Sequence, residues 1–152
     1  MTPPLSIFAG RPERFLAFLL DNIFLLLPAA AINRLLGDGN AAIFANFLCG
    51  LLYYSFFTAS AWQASPGQRL LSIHVVHANG RAMHFPASVM RYLAYIMPVL
   101  PLYTSLLNDR TAMSLSIWLC LMWFVPILVR EDRCGMHDQL CRQRVVTGRV
   151  LL

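Results

Sequence analysis

A single carboxylate lies within a long apolar segment near the start of the chain. Asp21 interrupts an apolar run from Phe15 to Ile32, whose length is close to the about 20 residues that cross a bilayer as a helix. A carboxylate in such a run costs roughly 2.5–3.5 kcal/mol on insertion scales, so it normally faces a partner or a wet cavity. Two interpretations follow. Asp21 exchanges a proton or a cation during a transport cycle, or it belongs to a buried structural lock.

An arginine precedes this carboxylate on nearly the same helical face. Arg14 lies seven residues before Asp21, which is about 10 Å along the axis at 1.5 Å per residue, too far for a direct salt bridge. Each charge then needs a partner from elsewhere in the chain, and Asp138, Arg91 and Arg69 are the candidates at the same membrane face. The sequence therefore predicts one polar cluster of these five residues, and Asp21 is its intramembrane carboxylate.

Other reactive residues give weaker signals. Cys134, His137 and Cys141 have spacings that could supply three zinc ligands, but a structural zinc site takes four. They are weak candidates, and neither a metal nor a cofactor is predicted. The sequence has no Gly-x-Ser-x-Gly elbow, His-Glu-x-x-His pair or phosphate-binding loop. The chain is accordingly not expected to be an enzyme.

The composition indicates a membrane protein. Of 152 residues, 58% are hydrophobic and only 12% are charged, which favours an all-α transmembrane bundle in a single domain over about 8–148. Pro98 and Pro101 predict a kinked or partly re-entrant third span. The four predicted spans cover about 15–32, 41–62, 92–107 and 112–129.

The arginines indicate the orientation of these spans. Ten of them lie in the N-terminal flank, the loop 63–91 and the tail 130–152, whereas only Arg34 and Arg110 lie on the other side. The positive-inside rule then places both termini and the central loop in the cytoplasm of a bacterial inner-membrane protein. The net charge of +5 comes from arginines at the ends of the spans. Because these arginines do not form a basic face interleaved with aromatic residues, nucleic acid is not an expected partner. The expected partners are the lipid bilayer and a homo-oligomer or another membrane subunit.

The central loop and the tail have strand-forming segments. Residues 70–76 are rich in β-branched side chains, and Asn79-Gly80 follows, a pair that favours a two-residue hairpin turn. The pattern predicts a hairpin over 72–85, in which 81–85 is the second strand. A similar fragment at Gln143–Thr147 predicts a third strand, because a lone hairpin is only marginally stable.

Three pieces of the chain together resemble the RDD family of small membrane proteins, named for one arginine and two aspartates. Residues 14–21 are similar to the family's first helix, with an arginine at the mouth and an aspartate inside. Residues 65–76, followed by Asn79-Gly80 and Arg91, resemble its Gly-Lys-Arg-Leu-Leu-Gly-Ile-Arg-Val-Val block and the arginine of its next helix. Residues 137–140 resemble its His-Asp-Lys-Leu motif, which carries the second aspartate.

The resemblance extends from about Arg11 to Val146 and implies a small helical membrane domain. It links the chain loosely to transport, with cation–proton exchange as the most concrete form. Gln68 stands where the family usually has lysine, and Ser72 where it often has glycine. A non-transporting scaffold or accessory subunit, whose arginines and aspartates form a structural lock, is the alternative.

Overall fold

The computed structural model describes residues 8–37, 39–103 and 108–148. The chain forms six helices, one 3₁₀ segment and two strands within these ranges. In chain order they are α1 (Arg11–Leu36), α2 (Asn40–Ala59), α3 (Pro66–Leu70), β1 (Ile73–His77), α4 (Phe85–Ile96), the 3₁₀ segment Met97–Tyr103, α5 (Asp109–Val129), α6 (Met136–Leu140) and β2 (Gln143–Thr147).

Four of these elements are long and apolar enough to cross a membrane: α1, α2, α4 with its 3₁₀ extension, and α5. Their large apolar side chains point outward, as in Leu27 (79% exposed) and Val129 (75% exposed). In water this would be a severe liability, whereas in a bilayer it is the surface that lipid covers. The predicted fold class is confirmed: a multi-pass helical membrane protein with a small sheet.

The third span begins earlier than predicted, at Phe85 instead of Tyr92. The His84 side chain accepts a hydrogen bond from the Ala87 N–H, and Pro86 occupies the first helical turn, where proline's missing N–H costs nothing. Arg91 consequently lies inside α4 and not in the preceding loop. The predicted interruption is confirmed, since α-helix gives way to 3₁₀ geometry beside Pro98. Residues 104–107 of the predicted span, and Arg149 with the end of the tail, lie outside the described residues.

The two strands form an antiparallel sheet in which Val75 is opposite Val145. The predicted pairing of the central loop with the tail is therefore confirmed, but the predicted hairpin over 72–85 is wrong. A turn does form, and Gly80 adopts a φ of +80° there, yet residues 81–84 form no strand. The Val75 N–H instead donates to the Gln63 carbonyl, 2.7 Å away. The edge of β1 that does not pair with β2 is therefore already hydrogen-bonded to the segment that contains Gln63.

The two halves of the chain repeat the same local conformation. Left-handed backbone is rare outside glycine, yet Gln63 (φ 49°) and Ser72 (φ 54°) adopt it in the first half. Arg133 and Arg142, both with φ 51°, adopt it in the second half. Each pair is separated by 70 residues (63 to 133 and 72 to 142). A short helix lies between the two positions in each half, and a strand follows it.

The sheet is one of the contacts between these halves. Val75 and Val145 are opposite each other and occupy the same position in their respective halves, which is the arrangement of a two-fold axis between two like units. Two further backbone bonds obey the same symmetry: Ala78 N–H to Arg142 O (2.7 Å) and Gly148 N–H to Ser72 O (3.1 Å). In this pseudo-symmetry α1 corresponds to α4 with its 3₁₀ extension, and α2 corresponds to α5.

Helix packing does not follow this symmetry throughout. Helix α2 packs along α4, and a Cβ at Gly50 would lie 2.3 Å from the Tyr92 hydroxyl oxygen. A larger residue at position 50 would therefore require the Tyr92 side chain to move. The counterpart of that interface would join α5 to α1. Helix α1 instead packs on α2 and α3, and α5 on the 3₁₀ segment and α6, so that a gap remains between α1 and α5.

Candidate functional site

Asp138 is the centre of a buried ion cluster. Its carboxylate has no exposed surface and contacts two guanidinium groups, each only 12% exposed. Arg14 Nη2 donates to Oδ2 over 2.5 Å, and Arg91 Nη1 donates to Oδ1. Since Arg14 comes from α1, Arg91 from α4 and Asp138 from α6, the cluster fastens the tail to both halves of the bundle.

The short helix α6 orients this carboxylate. Asp138 occupies its third helical position, where Oδ2 accepts a hydrogen bond from the Gly135 N–H (3.2 Å). Arg91 Nη1 also donates to Gln143 Oε1 (3.1 Å), and the Gln143 amide donates to the Ala87 carbonyl (3.2 Å). Charge-assisted hydrogen bonds are the stronger class, and these bonds orient Arg91 toward Asp138.

The electrostatics of this cluster favour an ionised aspartate beside a neutral histidine. Burial alone would raise the pKa of Asp138, but Arg91 and Arg14 outweigh it and hold the pKa well below its usual range. Burial lowers the pKa of His137 to about 4. His137 is therefore uncharged at neutral pH, and its Nε2 lies 3.3 Å from Asp138 Oδ1.

Asp21 has a different set of partners. The Tyr53 hydroxyl and the Gly67 N–H both donate to Oδ1 over 2.8 Å, and the Ser65 hydroxyl donates to Oδ2 over 2.5 Å. The carboxylate is only 1% exposed. Three donors, one from α2 and two from the start of α3, thus satisfy both oxygens of the buried carboxyl group without an arginine.

The geometry of α3 explains how the chain reaches Asp21. Ser65 and Gln68 form a capping box, in which Gln68 N–H donates to Ser65 Oγ (3.4 Å) and Ser65 N–H donates to Gln68 Oε1 (3.0 Å). Gln68 therefore has a structural role, because it closes the cap of α3. A Cβ at Gly67 would lie 2.5 Å from the Ala17 carbonyl oxygen, so only glycine allows α3 to approach α1 this closely.

The predicted single cluster is thus divided in two. Arg14 and Arg91 both contact Asp138, whereas Asp21 is held by Tyr53, Ser65 and Gly67. Arg69 contacts neither carboxylate in the described hydrogen bonds; its guanidinium carbon lies 5.9 Å from the centre of the Trp62 ring.

Sequence analysis missed Tyr53, Ser65 and Gln143 as members of these sites. Only Ser65 had a readable signal, since Ser65-x-x-Gln68 is a capping-box pattern. Asp21 and Arg91 occupy the same position in the two halves, 70 residues apart (21 to 91). Each reaches the short helix of its own half.

The weak metal candidates do not form a site in the described part of the chain, where no three His, Cys, Asp or Glu side chains are grouped to hold a metal ion. Burial raises the pKa of Cys134 to about 11, so this thiol is protonated at neutral pH. A protonated thiol is a poor ligand, because metals bind the thiolate.

A partly open cavity of about 790 Å³ lies within the helical bundle. Asp21, Arg14 and Arg91 reach its wall, and Asp138 does not. Most of the remaining lining is apolar and aromatic and comes from α1, α4 and α5. The two carboxylates therefore differ in position: Asp21, although only 1% exposed, borders this cavity, whereas Asp138 does not line it.

Comparisons with known proteins agree with this architecture. An uncharacterised protein of Bacillus subtilis (strain 168), YxaI, is 25% identical over 164 residues, covering 91% of this chain and 96% of YxaI. No solved structure gives a significant match. The model of the RDD family matches residues 8–142, a range that contains every residue of both charged sites except Gln143. The chain therefore belongs to the RDD family.

Proposed function

We propose that this protein is a membrane carrier for a cation or another small solute, with Asp21 as the carboxylate that exchanges a proton or cation. The observation that carries the proposal is the position of Asp21 on the wall of the cavity within the bundle. Intramembrane carboxylates facing such spaces commonly mark ion pathways. In this proposal the Arg14–Asp138–Arg91 cluster is structural, because Asp138 is absent from the cavity wall.

The internal repeat also supports a transport role. Many transporter folds consist of two like halves, and some are related by an axis along the membrane normal, with binding sites at the interface between the halves. Here the sheet joins the halves and the cavity has walls from both. Four short spans offer little room for alternating access, so the proposal includes a homo-oligomer or a second membrane subunit. It assigns no catalytic reaction to the chain.

The second candidate is a non-transporting scaffold or accessory subunit. The observation that favours it is that both carboxylate oxygens of Asp21 already accept hydrogen bonds from the protein. Such a carboxylate can fasten α3 to the bundle without ever exchanging an ion. The two roles predict different results for Asp21→Asn, which removes the charge and nearly keeps the shape: a carrier loses ion exchange, and a scaffold has no exchange to lose.

Purified protein in liposomes with an entrapped pH indicator should move protons in response to an imposed Na⁺ or K⁺ gradient. Asp21→Asn should abolish this exchange because it removes the charge and nearly keeps the shape. Asp109→Asn, at the exposed start of α5, is the matched control and should exchange like the wild type. Elution profile and thermal stability are measured for each variant.

Two outcomes would contradict the carrier proposal: wild-type flux equal to that of empty liposomes, or full flux in a folded Asp21→Asn. If Asp21→Asn does not fold, Tyr53→Phe removes one donor to the carboxylate and keeps the ring. A carrier should then show an altered pH dependence of exchange. In a scaffold only stability should change.

The proposed orientation has both termini in the cytoplasm of a bacterial inner membrane. The described arginines at the sheet-bearing end support it, since Arg14, Arg91 and Arg133 lie there, while Arg34 lies in the last turn of α1 at the opposite end. A reporter that is active only in the cytoplasm should be active when fused after Leu152. Activity of a periplasm-only reporter at that position would reverse the orientation.

A further inference from the structure

We propose that the cavity binds the headgroup and one acyl chain of an acidic membrane phospholipid, which enters through the cleft between α1 and α5. The pseudo-two-fold symmetry pairs this cleft with the closed interface between α2 and α4. In the α2–α4 interface the two helices pack closely. Helices α1 and α5 do not pack along their length, so the cleft between them is open. The exposed cavity-lining side chains Phe15 (62%) and Ile117 (51%) place the opening toward the bilayer.

The walls of the cleft suit an acyl chain. Along α5, lining residues run from Met113 to Leu128, about 22 Å at 1.5 Å per residue. One leaflet of the roughly 30 Å hydrocarbon core is about 15 Å deep, so the cleft is long enough for one chain.

A second copy of this chain fits the cleft less well. Closely packed membrane helices use small residues, as Gly50 does in the closed interface. Its counterpart in the cleft is Cys120, flanked by large side chains such as Phe18 and Leu121.

The sheet-bearing end of the cleft suits an anionic headgroup. Arg11, Arg14 and Arg91 all line it. Arg14 and Arg91 share the single carboxylate of Asp138. The Arg11 Nε–H donates to the Ile127 carbonyl (3.2 Å), whereas the other guanidinium N–H groups of Arg11 make no hydrogen bond within the described residues. The acidic side chain on the wall, Asp21, is already held by three donors. The planar guanidinium group matches the geometry of phosphate oxygens, to which it can donate two hydrogen bonds.

A buried hydroxyl at the same end lacks a partner. Ser88 is 1% exposed and lines the cavity, and its Oγ makes no hydrogen bond within the described part of the chain. It precedes Arg91 by three residues on α4, so both side chains lie on one helical face. A buried hydroxyl without a partner is costly, and a phosphate or ester oxygen in the cleft would satisfy it.

Native mass spectrometry tests this site with two lipids of identical acyl chains, palmitoyl-oleoyl phosphatidylglycerol and palmitoyl-oleoyl phosphatidylcholine. The wild type should retain the acidic lipid in preference. Arg11→Ala should weaken retention of phosphatidylglycerol about fivefold and leave phosphatidylcholine unchanged. Arg130→Ala, an exposed arginine at the same end paired with Asp132 and absent from the cavity wall, should behave like the wild type. Leu121→Trp should reduce retention of both lipids because it fills the apolar part.

Lipid retention and ion flux are separate measurements, so this inference and the proposed function, which share one cavity, can fail separately. If Arg11→Ala does not fold, Ser88→Ala serves as the second variant and should also weaken the preference for the acidic lipid. Three results would overturn the proposal: equal retention of the two lipids by the wild type, unchanged retention in the folded variants, or a dimer that forms through the cleft and excludes lipid.

Discussion

Asp138→Ala is expected to lower the free energy of unfolding by about 3–5 kcal/mol, the cost of breaking a buried ion pair from one side. The carboxylate has no exposed surface and is shared by two arginines that are each 12% exposed. Its removal leaves both largely buried guanidinium groups without a counter-charge. The measurement is thermal or denaturant unfolding of detergent-purified protein, together with the yield of folded protein.

A double-mutant cycle with Arg14 tests the pairing itself. Arg14→Ala leaves Asp138 with one guanidinium, and the double variant Arg14→Ala/Asp138→Ala should recover part of the combined loss. Recovery should be incomplete, because Arg91 remains buried without its carboxylate. Strict additivity of the two substitutions would contradict the pairing. Asp132→Ala is the control: Asp132 pairs with the exposed Arg130, and exposed pairs contribute little, so the melting temperature should not change.

Gly67→Ala is expected to be nearly as disruptive, although it adds a single methyl group. The new Cβ would lie 2.5 Å from the Ala17 carbonyl oxygen and 2.8 Å from Asp21 Oδ1. Ordinary overpacking costs about 1–3 kcal/mol, and here the obstacle is backbone, which cannot rotate away. Displacement of α3 would also break the Gly67 N–H and Ser65 hydroxyl bonds to Asp21. Folded yield and melting temperature should therefore fall sharply.

Gly39→Ala provides the matched control for this substitution. Gly39 precedes α2, and a Cβ there would meet nothing within 4 Å. Its φ is −86°, so alanine is not strained; because Gly39 is the N-cap of α2, alanine should cost at most about 1 kcal/mol and leave the contacts of Asp21 intact. A Gly67→Ala protein as stable as the wild type would mean that α3 does not sit against α1 as described.

Local sequence determined the features that depend on neighbours along the chain. Four apolar runs gave four spans because a bilayer imposes a length on any helix that crosses it. Pro98 marked the place where α-helix ends, since proline lacks the required N–H. The Asn79-Gly80 turn and the Ser65-x-x-Gln68 cap were also readable, because both depend on side chains within four residues. The order of the arginine and aspartate motifs indicated the family.

Only the tertiary structure decided which groups meet. Arg14 and Asp21 lie on one helical face, yet Arg14 pairs with Asp138, and α3 satisfies Asp21 with a hydroxyl and an N–H. Strand β1 pairs with a segment 70 residues later (75 to 145) and not with its immediate neighbour. The physical reason is common to both cases. Burial and hydrogen-bond satisfaction are optimised over the whole chain, and here the two halves meet about a pseudo-two-fold axis whose contacts are far apart in sequence.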